Sequence, residues 1–300
     1  ALLIILFLSG CAAPGGESPG ALTRIVESGV IRVGTTGEQP PLTMVSRDGQ
    51  FLGLDVALMR VLARSMGAEA RFLRFEFDQL LDALKEALAT LEFAPHEVLI
   101  VSGIGQAAKA PHFIECNFFH SLHGRALPIA TGAKIANHGL RIVVNTGDGD
   151  CYAEGGNHFM HAIRRNIDLT VLAHNNGIYG LTKGQASPTS VVGMETALQK
   201  DGVVSQPLSP PALALAAGAG FVARGFSGNK AHLSRLMQAA IQHDGFSLVD
   251  ILQPCVSFNH VNTYQWYKER VYEIDDKKHD RKDLRKALDL ALERGDRIPI

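Results

Sequence analysis

The sequence predicts an α/β protein: a parallel sheet flanked by helices, preceded by a shorter α/β segment of different texture. Three observations predict it. "LRIVVN" ends at Asn145 and "LTVLA" at Ala173, two continuous apolar runs separated by "NHFMHAIRRN", whose apolar positions have helical spacing. A strand–helix–strand unit of this kind makes a parallel pair with a right-handed crossover. Similar runs alternate with glycine-containing turns from about Phe77 to Ser257. The composition, 46% hydrophobic and 20% charged, supports a real core in a chain whose length suits one large domain or two ordinary ones. A formal net charge of -1 offers no electrostatic case for nucleic acid or an anionic membrane as partner.

The elements follow in order. The sequence begins at Ala1 instead of Met, which reads as a truncated or processed terminus. "ALLIILFLSGCAA" is an apolar run far shorter than the ~20 residues that span a bilayer, and it reads as the h-region of a signal peptide. Ser9-Gly10-Cys11 after Leu8 looks like a lipobox, and "APGGESPG" suits a tether. A buried terminal strand is the other reading. "ALTRIVESGVIRVGTT" predicts a short helix, a glycine turn and a strand at Ile31–Val33. "GQFLGLDVALMRVLARSMGAEARFLRF" predicts a turn, a helix from about Asp55 to Met66 and a strand near Ala70–Leu73. Val56, Leu58, Met59, Leu62 and Ala63 are expected on its apolar stripe. Past Phe77, "FDQLLDALKEALATL" predicts a helix and "HEVLIVSG" a strand. A charged helix from about Asp280 to Arg294 is expected to pack through Leu284, Leu288 and Ala291. The expected divisions are 1–20 (leader and tether), 21–76, 77–272 and a helical tail, 273–300.

Cys11, Cys116, Cys151 and Cys255 are widely spaced, so the main body reads as reduced and intracellular, not as a disulfide framework. The leader points the other way, to a membrane-anchored or periplasmic chain.

"NTGDGDCYAEGGNHF" carries the chemistry. Ligands in parallel sheets bind beyond the carboxyl ends of the strands, and Asp148 and Asn176 fall there, 28 positions apart. A carboxylate, a side-chain amide and backbone carbonyls are hard oxygen ligands of the kind Mg²⁺ takes together with phosphate oxygens. Gly147 and Gly149 would let the backbone approach a diphosphate and adopt positive φ where needed. "GDGD" alone also reads as a β-turn with Asx geometry. A dinucleotide loop fits worse, because the third glycine of that fingerprint is missing. His112, His120 and His123 have no standard zinc spacing and read as core or supporting histidines.

Two resemblances sharpen this reading. "GDGD" followed by "NN" matches the thiamine-diphosphate motif. "VSGIGQAAKAPHFIECNFFHSLHGRALPIATGAKIAN", "HNNGIYGLTKGQASPTS" and "FVARGFSGNKAHLSRLMQAAIQHDGFSLVDILQPCVSFN" resemble the β subunit of 2-oxoacid:ferredoxin oxidoreductases over roughly residues 77–300. That resemblance implies a thiamine-diphosphate-binding fold. It also implies oxidative decarboxylation of a 2-oxoacid, pyruvate or 2-oxoglutarate, to an acyl-CoA with ferredoxin as acceptor. The cofactor would act as electron sink. The implied Mg²⁺ ligands are Asp148, Asn176 and the carbonyl of Ile178. Lys109, His123, Gly124 and Arg125 would line the diphosphate and substrate region, Leu181 would border the 2-oxoacid, and Lys183 would lie near coenzyme A. The implied partners are an α subunit and ferredoxin, and the implied compartment is the cytoplasm. A [4Fe–4S] cluster is expected of the family, yet the CxxC segment is absent, Gln106 stands where many relatives carry a cysteine, and only Cys255 matches a cluster ligand. Cys116 is a possible substitute and Cys151 reads as a small buried residue.

"SGVIRVGTTGEQPPLT" and "DGQFLGLDVALMRVLARSMGA" resemble the first lobe of periplasmic amino-acid-type solute-binding proteins, so the chain reads as a chimera of two truncated patterns. The alternatives to the enzyme are a membrane-anchored solute-binding lipoprotein and a fusion that only binds thiamine diphosphate.

Overall fold

The computed structural model describes residues 25, 27–35, 38–39, 43–46, 48–74, 78–275 and 277–300. The expected leader and tether, Cys11 included, lie outside the described residues. Contacts divide the chain into two compact units, Ala1–Phe77 and Asp78–Ile300.

In the first unit, β1 (Val30–Thr35) pairs in parallel with β5 (Glu69–Arg74), Val30 opposite Glu69. Between them run three short antiparallel strands, β2 (Glu38–Gln39), β3 (Thr43–Val45) and β4 (Phe51–Leu52), and helix α1 (Leu54–Ser65). Val56 and Ala63 are buried, with Met59 and Leu62 half-buried, but Leu58 is 45% exposed. At 100° per residue Leu58 lies about 200° from Val56, so the packed stripe is narrower than the sequence suggested.

The second unit begins with α2 (Asp78–Thr90) and holds a six-stranded sheet. Its strands are β6 (Val98–Ser102), β7 (Asn117–His120), β8 (Arg141–Gly147), β9 (Leu169–Asn175), β12 (Phe221–Phe226) and β13 (Phe246–Leu252). They lie in the order β12-β13-β9-β8-β6-β7, and every pairing is parallel. Parallel strands need crossovers, supplied by α3 (Ala126–Ala136), α4 (Gly156–Arg164), α5 (Pro210–Ala216) and α6 (Lys230–Gln242).

All seven residues of β9 and of β13 are buried, as in a sheet covered on both faces, and their polar members, among them His174, Asn175 and Asp250, are buried with the rest. Strand alternation sorts the side chains. Val101, Ile142, Val144, Val171 and Leu248 face a core completed by Leu127, Phe159 and Ala214 of α3, α4 and α5. Ile100, Val143, Leu172 and Ile251 face a core completed by Leu84 and Ala87 of α2 and Leu233 and Met237 of α6. On the first face Phe159 meets Phe246 edge to face at 5.9 Å.

Two local outcomes differ from the sequence expectation. The "GDGD" stretch does not take the β-turn that is its competing reading: Asp148 already has helical angles (φ -62°, ψ -48°), and residues 149–154 form a π-type turn that leads into α4. Neither Gly147 nor Gly149 has positive φ. The charged C-terminal helix, α7, covers Leu284–Leu292 because Asp283 caps it, accepting from Arg285 N and Lys286 N at 3.1 and 3.2 Å. Its Leu284 is 52% exposed, while Ala291 is buried. The residues beyond it pair: β15 (Ile298–Pro299) lies parallel to β14 (Val271–Tyr272).

Candidate functional site

From β6 the chain passes to β7 at the sheet edge and returns to β8 on the other side of β6. The connections therefore diverge above the carboxyl ends of β6 and β8, which opens the crevice where open α/β sheets bind ligands. Four strand ends feed it: Gly103 after β6, His123–Arg125 after β7, Thr146–Asp150 at the end of β8, and Asn175–Ile178 after β9.

Asp148 is 2% exposed. Its Oδ2 accepts hydrogen bonds from Ser187 Oγ and Thr189 Oγ1, both at 2.6 Å. Among the described residues no Lys or Arg pairs with it, and burial pushes its carboxyl above the ordinary range, against the pull of the two hydroxyls. The two asparagines divide their work. Asn175 points inward: its Nδ2 donates to Asp250 Oδ1 at 3.2 Å, and its Oδ1 lies 2.8 Å from Thr189 Oγ1, whose single proton it shares with Asp148. Asn176 Oδ1 closes an Asx turn on Ile178 N at 3.0 Å, across Gly177 at φ +65°. Its carbonyl accepts from Asn259 Nδ2 at 2.9 Å. Thr189 thus ties Asp148 to the asparagine pair.

A second layer supports these. Asp250 on β13 accepts from Tyr152 Oη at 2.9 Å and lies 4.0 Å from Arg224 Nε. Burial raises its carboxyl to about 6, with Arg224 pulling the other way. On β9, His174 Nε2 meets Asn145 Oδ1 at 2.6 Å, and burial lowers the ring to about 4, so it is neutral near pH 7.

His123 and Gly124 come against the turn after β8. Gly124 N donates to Asp150 Oδ1 at 2.7 Å, and His123 Nε2 lies 3.5 Å from Asp150 Oδ1 and 3.6 Å from Glu154 Oε2. Tyr179 Oη donates to Glu154 at 3.0 Å, and the Tyr179 ring stands edge-on to His123 at 6.2 Å. Gly149 is explained by the same ring, because a Cβ there would collide with Tyr179. Gly147 has only Ile104 O near a would-be Cβ, at 3.8 Å.

The remaining predicted residues stand apart from this knot. Lys109 lies exposed in the 107–113 turn, and Arg125 is exposed where α3 begins. Leu181, 68% exposed, and Lys183, at φ +68°, occupy the tip between β10 (Ile178–Tyr179) and β11 (Gln185–Ala186). Sequence reasoning missed Asp150, Glu154, Tyr179, Ser187, Thr189 and Asp250. Only the second aspartate of "GDGD" and the hydroxyl run "SPTS" were visible signals.

The cysteines do not gather. Cys151 is buried in one core, Cys116 packs on the core of the opposite sheet face, and Cys255 packs with Ile178, Met194 and Val203. Cys116 precedes the first residue of β7, whereas Cys255 follows the last of β13. In a parallel sheet those are opposite ends, separated by a seven-residue strand of roughly 20 Å. Cys116 therefore does not substitute for a ligand beside Cys255. Among the described residues no group of three or more His, Cys, Asp or Glu side chains is placed to hold a metal ion, so they do not fit a [4Fe–4S] cluster.

Residues 101–251 match the family described as thiamine pyrophosphate enzyme, C-terminal TPP binding domain. Sheet and crevice thus define a thiamine-pyrophosphate-binding domain. Residues 255–300 match a second family, the C-terminal part of the pyruvate ferredoxin oxidoreductase β subunit. The 2-oxoacid:ferredoxin oxidoreductase subunit β of Saccharolobus solfataricus is 44% identical over 233 residues, covering 74% of this chain and 76% of that protein. A 2-oxoglutarate oxidoreductase subunit, KorB, of Mycobacterium tuberculosis is 46% identical over 180 residues, 60% of this chain and 48% of its own. Among solved structures, the 2-oxoglutarate:ferredoxin oxidoreductase of Magnetococcus marinus, with 2-oxoglutarate, coenzyme A and succinyl-CoA bound, matches with a TM-score of 0.72 and 37% identity, covering 74% of this chain and 76% of that one. The chain belongs to the 2-oxoacid:ferredoxin oxidoreductase β-subunit family. Residues 31–95 match a different family, bacterial extracellular solute-binding proteins, family 3. Among the described residues no helix is long and apolar enough to cross a membrane.

Proposed function

We propose that the second unit binds thiamine diphosphate through Mg²⁺ and serves as the β subunit in the oxidative decarboxylation of a 2-oxoacid, with coenzyme A taking the acyl group and ferredoxin the electrons. The carrying observation is Asp148: a buried carboxylate whose Oδ2 takes two hydroxyls and which no Lys or Arg among the described residues pairs, at the mouth of a crevice that Asn176 also lines. Burying an anion without a cation is costly, and a divalent ion offsets that cost. Asp148, Asn176 and the Ile178 carbonyl supply the hard oxygens Mg²⁺ prefers. The ion is also needed for charge. Asp148, Asp150, Glu154 and Asp250 make the crevice acidic, and a diphosphate would be repelled from it without a metal.

When bound, thiamine diphosphate supplies the electron sink for decarboxylation. The chain's own residues bind and orient. Ser187 and Thr189 hold the Asp148 carboxylate in one rotamer, and the Asx turn of Asn176 fixes the path of the backbone to Ile178. His123 and Arg125 bring donors to the diphosphate side of the crevice. Leu181 and Lys183, on the exposed tip, meet the 2-oxoacid and coenzyme A once the mouth is closed by an α subunit. The described cysteines, each in a separate cluster, would not hold an iron–sulfur cluster. The cytoplasm is the compartment proposed.

Calorimetry of the full chain with thiamine diphosphate tests the reading. Binding is expected with Mg²⁺, and its loss is expected with chelator or in Asp148→Ala. Equal binding by Asp148→Ala would sink the proposal. With an α subunit added, 2-oxoacid-dependent reduction of a ferredoxin or viologen tests the activity.

A further inference from the structure

Three parallel strands, β6, β7 and β8, end at the crevice, and one side chain touches all three ends. Asp150 Oδ2 accepts from Thr146 Oγ1 of β8 at 2.6 Å. Its Oδ1 accepts from Gly124 N, just beyond β7, at 2.7 Å. The carboxylate also lies against the Cα of Gly103, the residue after β6, where any side chain would collide with it. The π-type turn brings it inward: Gly155 N donates to Asp150 O, five residues back, at 2.9 Å. Gly124 is held from the other side as well. At φ +69°, a Cβ there would lie 2.5 Å from the Glu154 backbone.

Asp150 and Asp148 are both buried, 3% and 2% exposed, but their oxygens are used differently. Each oxygen of Asp150 is committed to a donor on a separate strand end, whereas the two hydroxyl partners of Asp148 converge on Oδ2. That division separates a staple from a ligand.

We propose that Asp150 is a positioning residue: it staples the His123–Gly124–Arg125 turn to the turn after β8 and so sets the width of the crevice that receives the diphosphate. The inference rests on the thiamine diphosphate reading above. Held this way, Gly124 spends its N–H on Asp150 and carries its neighbours with it: His123 Nε2 lies 3.5 Å from Asp150 Oδ1, and Arg125 Nη1 donates to Gly124 O at 3.3 Å. Without the staple, the turn after β7 keeps the Ser121 bonds to Ser102 O and the His123–Glu154 contact at 3.6 Å, but the Gly124 N–H loses its partner and the tie between this turn and the turn after β8 loosens.

The test is thiamine diphosphate affinity of the full chain in excess Mg²⁺, measured by calorimetry well below each variant's unfolding temperature. Asp150→Ala is expected to weaken binding roughly tenfold or more, since two hydrogen bonds to a charged group are lost. Asp150→Asn is expected to restore affinity to within about threefold, because the amide oxygen still accepts from Gly124 N and the amide NH₂ meets Thr146 Oγ1. Affinity of Asp150→Ala equal to wild type overturns the staple. So does an Asp150→Asn as weak as Asp150→Ala, since a rescue by shape and bonding is what separates positioning from charge. Should Asp150→Ala fail to fold, Thr146→Val removes one of the bonds alone. About threefold weaker binding supports the proposal, and unchanged binding overturns it. Failure of the wild type itself to bind would instead remove the thiamine reading.

Discussion

Asp148 and Gly149 are neighbours, but their reasons for being in the sequence have different reach. Asp148 is legible because a polar residue at the carboxyl end of an apolar run is placed by the strand itself. For Gly149 the sequence suggests diphosphate approach and positive φ, and the structure gives it helical surroundings and a steric cause, the Tyr179 ring. A contact between residues 30 positions apart leaves no local signal. Gly149→Ala is expected to cost about 1–3 kcal/mol by overpacking. Combined with Tyr179→Leu, the cost should shrink, giving a coupling energy in a double-mutant cycle of unfolding free energies; simple additivity would refute the steric cause. Asp250 makes a pH prediction. Its folded carboxyl titrates near 6 against 3.8 for the free group. Between those values the native state keeps a proton that the unfolded chain has released, so stability falls as pH rises. Two units correspond to roughly 3 kcal/mol. Asn mimics the neutral acid. The stability of the wild type relative to Asp250→Asn should therefore drop by that order between pH 4 and pH 7, and a pH-independent difference would rule this out.

The elements themselves are largely readable, since continuous apolar runs give β6, β8 and β9 and helical spacing gives α1, α2 and α4. What escapes are features set by single hydrogen bonds or by distant chain. The C-terminal helix starts at Leu284 and not four residues earlier because the Asp283 carboxylate takes the first free N–H groups. Asp283→Ala should lower the thermal midpoint through loss of the cap, whereas the exposed Asp289 on the same helix should tolerate Ala with almost no change. The π-type turn is invisible in the sequence, since it depends on where Asp150 and Gly155 sit once the sheet has formed. Core elements carry larger stakes. Phe159, fully buried between Tyr152 and Phe246 at 5.3 and 5.9 Å, should cost about 3–5 kcal/mol when cut to Ala in chemical denaturation.

At the scale of the whole molecule, likeness and packing disagree by one helix. The solute-binding match runs from residue 31 to 95 and the thiamine match starts at 101, which would place α2 with the first unit. Contacts place it with the second, dividing the chain between Phe77 and Asp78. The physical reason lies in its buried face. Ala83, Leu84 and Ala87 are at most 2% exposed and pack with Val98, Ile100, Leu233 and Met237. An amphipathic helix with small and leucine side chains on one stripe satisfies that sheet face whatever its origin, so sequence likeness alone could not say which unit owns it. Two fragments separate the possibilities. Residues 78–300 should unfold cooperatively and bind thiamine diphosphate with Mg²⁺ as the full chain does. Residues 96–300 would expose Ile100, Leu233 and Met237 together. Losing a buried leucine alone costs about 2–5 kcal/mol, and a whole helix face exceeds the ~5–15 kcal/mol that holds a domain together. The shorter fragment should therefore fail to fold, seen as a missing thermal transition and rapid proteolysis. If it folded and bound the cofactor like the longer one, α2 would be dispensable, and the boundary of the working domain would move to the start of the thiamine match.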